Sequence, residues 1–153
     1  MRNYTFCTVI SVALMAIAGD AQAQDTGRRV IATPTAPNAI GPYSQAIRAG
    51  KTLYIAGEIA IDPKTNQLMS NASIEDQTRR VLDNLTAILA ADSLTMDHVV
   101  STNVFLKDVK DFDKMNGVYA TYFKNAPPAR TTVEVARLPR DAKIEISAIA
   151  VAP

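Results

Sequence analysis

A chain of 153 residues with 48% hydrophobic and 20% charged side chains has room for one globular domain and a modest core. Sixteen basic against fifteen acidic side chains give a net charge of +1, so the chain lacks the basic footprint that neutralises many phosphates, and nucleic acid is not expected as a partner. A single cysteine, Cys7, and a single histidine, His98, are too few for a zinc-deaminase ligand set or a Cys-His nucleophile pair.

Residues 1–23 read as a cleaved secretory signal. Arg2 supplies the positive start, residues 5–18 are mostly apolar, and Ala21-Gln22-Ala23 has the small-x-small pattern of a cleavage site. A membrane anchor is the competing reading, but the apolar run falls short of the roughly 20 residues that span hydrocarbon. Cys7 lies inside the signal, so residues 24–153 form a domain without thiols. That suits an oxidising compartment, and a bacterial periplasm is the expected location, with no membrane contact after cleavage.

Residues 25–29 are polar and expected to fray, and residues 30–33 have the composition of a short strand. Pro34, Pro37 and Pro42 forbid a helix and predict a loop leading to Tyr43. Residues 44–48 and 52–57 read as a hairpin turned at Gly50, followed by a turn over 62–66. Ser73 and Asp76 have capping-box spacing, and Val81, Leu82, Leu85, Ile88 and Leu89 recur at helical period to about Ala91. Residues 98–106 are β-branched and aromatic, hence a strand. Asp111 is expected to cap a second helix with Phe112, Met115, Val118, Tyr119 and Tyr122 on its apolar side, stopped by Pro127-Pro128. Strands over 131–137 and 143–151 close the chain. The order β-β-β-α-β-α-β-β predicts an α+β domain, a mixed sheet with two helices on one face. Ile149 and Val151, with Ala56 and Ala60 nearby, fall on the face the helices leave open, and an oligomer built by packing sheet faces is the consequence.

There is no Gly-x-Gly-x-x-Gly and no complete Walker-type phosphate loop, so a site without metal or cofactor is what the inventory leaves. His98 follows a helix exit and reads as a surface or packing residue. Arg130, held after Pro127-Pro128, offers a rigid fork of donors suited to a carboxylate, or is a loop arginine in solvent. Glu145 shares a strand face with Lys143, Ser147 and Ile149, opposite Ile144 and Ile146. It is either a carboxylate that holds or deprotonates a water, or a solvated residue paired to Lys143 or Arg137. Tyr43 is a pocket wall or a packed aromatic, and Asn116 is helix surface by default.

Four separated segments occur together: Ile40-Gly41-Pro42-Tyr43, the strand exit Val104-Phe105-Leu106-Lys107-Asp108, the helix from Asp111 through Asn116 to Tyr119, and Pro128-Ala129-Arg130 through Glu145-Ile146. In that order the chain resembles the reactive intermediate deaminase (Rid, YjgF-like) family. The resemblance implies a chorismate-mutase-like α+β fold, a homotrimer with clefts between subunits, and hydrolysis of short 2-imino acids to 2-keto acids and ammonia. It further implies that Arg130 binds the substrate carboxylate, that Glu145 positions the water, and that Tyr43, Gly57, Asn116 and Thr132 line the pocket. Imines hydrolyse unaided, so orientation and charge stabilisation suffice. Three positions depart from the family pattern. Ala56-Gly57-Glu58 stands where many members have Ser-Gly-Gln, and Thr132 stands where archetypal bacterial members have cysteine. A protein that binds carboxylate metabolites without turnover, or acts as a holdase, is the alternative from another class. A ribonuclease, attached to the family by name, is disfavoured by the near-neutral charge and the lack of a catalytic histidine.

If the signal is cleaved after Ala23, intact mass of protein from a periplasmic fraction will lack residues 1–23; a mass that retains them contradicts the reading.

Overall fold

The computed structural model describes residues 27–153. The expected signal, 1–23, lies outside the described residues. A six-stranded sheet runs in the order β1-β2-β3-β8-β6-β7, where β1 is Arg28–Ile31, β2 Ala46–Ala49, β3 Thr52–Ile59, β6 Val99–Leu106, β7 Ala129–Glu134 and β8 Ile144–Val151. A two-residue ribbon, β4 Ile61–Asp62 with β5 Gln67–Leu68, flanks the turn expected at 62–66. All pairs in the main sheet are antiparallel except β6 with β7. A parallel pair needs a crossover, and α2, Phe112–Tyr122, supplies it.

The mixed sheet with two helices is the architecture the pattern predicts, with shifts at element ends. The first strand begins at Arg28, because backbone pairing with Ala49 holds residues whose side chains are polar. The second begins at Ala46, since the Gln45 side chain is turned inward. The seventh ends at Glu134 instead of 137. Ala60 is fully buried, and does not join the open face.

The longer helix, α1 Ile74–Ala91, starts where the spacing says: Ser73 Oγ accepts from the Asp76 amide at 3.1 Å. Its Val81, Leu82, Leu85, Ile88 and Leu89 pack on the inward faces of β3 and β8, against Leu53, Ile55, Ile144 and Ile146. Asp111 holds the N-cap position of α2 but makes no side-chain cap bond; Asp108 instead accepts from the Lys110 amide at 2.9 Å, capping the turn before it. At the far end of α1 the buried carboxylate of Asp92 takes Arg29 at 2.6 Å and Arg48 at 2.7 Å, tying the first two strands to the helix.

The opposite face of the sheet carries Val30, Ile47, Tyr54, Ile149 and Val151 with no element of the described residues over it, and Tyr54 is half exposed.

Gln45 fixes the loop that the three prolines shape. Its Nε2 donates to the carbonyls of Thr33 at 3.1 Å, Ala36 at 3.4 Å and Pro37 at 2.6 Å, while Oε1 accepts from the Thr33 amide at 2.7 Å. A loop running over a strand edge has no ladder of its own, so this buried amide satisfies its polar backbone. Gln45→Ala should cost about 2–4 kcal/mol in denaturant unfolding, because several buried partners lose their bonds at once. A loss below about 0.5 kcal/mol would show that the loop is held by its prolines alone.

Candidate functional site

The loop pinned by Gln45 forms one wall of a cavity of about 360 Å³. Tyr43 and Ile40 come from the loop, Gly57 and Glu58 from β3, Glu145 from β8, and Pro139 from the turn before β8. Glu145 stands outward, aligned with Phe105 on β6 and Ile59 on β3. Gly57 makes the fit possible: a Cβ there would fall on the Glu145 carboxylate, 2.8 Å from its Cδ. Neither alternative partner holds Glu145, since Lys143 Nζ donates to the Ala72 carbonyl at 2.8 Å and Arg137 pairs with Asp141 at 2.7 Å. Half-burial pushes the Glu145 carboxyl above the ordinary carboxylate range.

Arg130 is not in this cavity. It aligns with Thr102 and, through β6, with Ala148, and therefore emerges on the helix side of the sheet. There its guanidinium lies 4.6 Å from the centre of the Tyr119 ring and 5.7 Å from that of Phe112. Tyr119 is itself held, its hydroxyl 2.7 Å from Thr102 Oγ1. Burial raises the Tyr119 pKa, and the Thr102 bond and the Arg130 charge work against that rise. Asn116, Pro127 and Pro128 border the shallow groove in which Arg130 lies. Among the described residues Arg130 forms no salt bridge, so a stacked, half-buried fork of donors faces the groove without an anion. Thr132 aligns with Val104, and its Oγ1 is buried without a hydrogen-bond partner.

One protomer thus brings Tyr43, Gly57 and Glu145 together, and separately Arg130 and Asn116. The two groups lie on opposite faces of the sheet.

A family model described as endoribonuclease L-PSP matches residues 33–152. The chain belongs to the endoribonuclease L-PSP (YjgF/RutC/Rid) family. A RutC family protein of Saccharolobus solfataricus is 52% identical over 123 residues, 80% of this chain and 97% of that one. A human protein named 2-iminobutanoate/2-iminopropanoate deaminase is 44% identical over 124 residues, 81% of this chain and 90% of that one. Among solved structures the E. coli YjgF gene product is 46% identical with a TM-score of 0.78, covering 82% of this chain and 99% of that one. E. coli TdcF with bound serine has the same TM-score at 40% identity, covering 82% and 99%. The α+β single domain is therefore that of the family.

Two residues have parts that the sequence reading missed, Gln45 behind the loop wall and Glu58 in the cavity lining. Gln45 reads as an ordinary strand residue, and Glu58 only as a departure from the family pattern. Glu58 is 6% exposed and, unlike the buried Asp92 carboxylate, its side chain has no hydrogen bond or ion pair among the described residues. A usable signal was present: an acid inside Ile55-Ala56-Gly57-Glu58-Ile59-Ala60-Ile61, directly after a strand glycine that marks a bulge. Burial first, and the Glu145 carboxylate second, push its pKa from 4.5 to about 8.

The folded chain therefore keeps the Glu58 proton over a range where the unfolded chain has lost it. The resulting stabilisation is complete below about pH 4.5 and is lost as pH rises through about 8. Denaturant unfolding should show stability falling by on the order of 4 kcal/mol between those limits, with most of the fall absent in Glu58→Gln. Equal slopes in both proteins would mean that Glu58 is ionised in the folded state.

Proposed function

We propose that the chain hydrolyses short 2-imino acids to 2-keto acids and ammonia in a site assembled from two copies of itself within a homotrimer. Arg130 of one copy binds the substrate carboxylate, with Asn116 beside it. Tyr43, Gly57 and Glu145 of the next form the opposing wall, where Glu145 holds the attacking water. The observation that carries this reading is Arg130, a guanidinium stacked on Tyr119 with no carboxylate partner among the described residues. Planar donors held in place by ring and proline bind a carboxylate in two parallel bonds, which a lysine cannot reproduce. Family relatives named as imine deaminases supply the reaction class. The placement of Arg130 and Glu145 on opposite faces, beside an apolar sheet face that no element of the described residues covers, supports a site completed by a second copy. Thr132 borders Arg130 along β7, and its role in this reading is to set the depth of the carboxylate end.

Light scattering should give about three protomer masses, and a stable monomer that turns over imines overturns the two-copy site. Arg130→Lys should weaken keto-acid binding by about 10-fold to 100-fold in calorimetry. Glu145→Gln should leave that affinity within a few-fold while slowing imino-acid decay by about 100-fold or more. If both variants decay short imino acids at the wild-type rate, the chain is a carboxylate-binding protein and not a deaminase.

A further inference from the structure

We propose that Glu58 is the proton donor of this site, delivering a proton to the imine nitrogen while Glu145 removes one from the attacking water. The inference rests on the imine-hydrolysing reading and adds a catalytic group to it.

Geometry brings the two acids to one cavity. Between Ile55 and Glu58 the register of β3 against β8 shifts by one residue, so that Glu58 comes opposite Ile146, a core position, and is carried out of solvent. The missing side chain of Gly57 leaves the adjoining space to the Glu145 carboxylate. Both acids line the same cavity, and among the described residues no arginine, lysine or histidine lines it with them. Tyr43 is the other titratable group there, contributed by the proline-rich loop. The helix packed across β3 buries Gln77, Thr78 and Asn84, all uncharged, and Asn84 Nδ2 is spent on the carbonyls of Ile61 at 3.0 Å and Ile59 at 3.4 Å.

An unpaired carboxylate in such a place is strongly disfavoured, and a second carboxylate beside it makes simultaneous ionisation worse. The pair therefore keeps one proton near neutral pH, and the more buried member, Glu58, holds it. That is one acid and one base facing a single small cavity, the division of labour that differing environments impose on paired carboxylates elsewhere.

Imine hydrolysis uses both. When water adds to C=NH, the new C–O bond forms as Glu145 takes a water proton, and the C=N electron pair moves to nitrogen, which takes the Glu58 proton. In the collapse of the resulting amino alcohol the C–N bond breaks as nitrogen receives the proton held on Glu145, and ammonia leaves. The hydroxyl proton returns to Glu58 as C=O forms. Imine and water become ketone and ammonia, and both carboxyl groups end as they began.

The test is the pH profile of protein-dependent imino-acid decay in wild type and Glu58→Gln, beside an infrared or carbon-13 titration of the Glu58 carboxyl. The wild-type rate should fall as pH rises past about 8, where Glu58 loses its proton. Glu58→Gln should lower the rate below that pH by about 100-fold and abolish the alkaline limb, with keto-acid affinity within about twofold. The titration should show a protonated carboxyl at neutral pH that is missing in the variant. A wild type that accelerates decay, with an unchanged profile in Glu58→Gln, overturns the donor role alone. A Glu58 already ionised at neutral pH overturns it whatever the rates. A wild type that accelerates nothing at any pH overturns the deaminase reading and the donor role with it.

Discussion

One extra residue in β3 governs the site. Up to Ile55 the strand keeps strict alternation against β8, with Ile55 opposite Ala148; beyond the bulge Glu58 faces Ile146 and Ile59 faces Glu145. Without that shift Glu58 would stand on the same outward row as Tyr54 and Ala56, solvated and ordinary. With it, an acid is placed in an apolar surrounding beside another acid. At Gly57, next to the bulge, the missing Cβ leaves room for the Glu145 carboxylate. Bulges concentrate where a side chain must be re-aimed, and here two are re-aimed at once.

The central strand β8 carries the other half of the logic. Ile144, Ile146, Ala148 and Ala150 bury one face under the helices, while Glu145, Ser147 and Ile149 occupy the other. The helix-covered face is closely packed, and the open face carries Glu145 among apolar side chains. Arg130 breaks this division, since edge strand β7 turns it to the helix side, where Tyr119 and Phe112 hold it. At a sheet edge a long side chain on the covered face still reaches solvent, which is why a guanidinium is tolerated there.

Periodicity carried most of the fold. The 3.6-residue recurrence in α1, the Ser73 cap and the alternation of β8 were all legible, because each is a local pattern whose physical cause lies within a few residues. Strand ends were not: β1 starts at Arg28 because Ala49 pairs with it, a contact that no local composition reveals. Of the site, Arg130 and Glu145 stood out by residue type and by resemblance, yet their separation onto two faces depends on the parallel register of β7 with β6. Gln45 escaped notice since its role lies in four bonds to a loop whose path only the folded chain defines. Glu58 was visible as an anomaly, an acid in an apolar run after glycine, but its meaning required the bulge.

That anomaly sets stability against chemistry. An amide at position 58 would suit a buried strand at every pH, whereas the acid makes the fold progressively less stable as pH rises. Natural sequences keep local conflicts of this kind where function repays them, and resolve them elsewhere. The compensation here is visible nearby: Leu53, Val81, Leu85, Ile144 and Ile146 are wholly or almost wholly buried around the same strands, and Gln45 locks the adjoining loop. A rigid apolar frame is also what keeps a carboxyl protonated, because a frame that relaxed would admit water and let the acid ionise. The packing that offsets the cost of Glu58 is thus the same packing that gives the residue its chemistry.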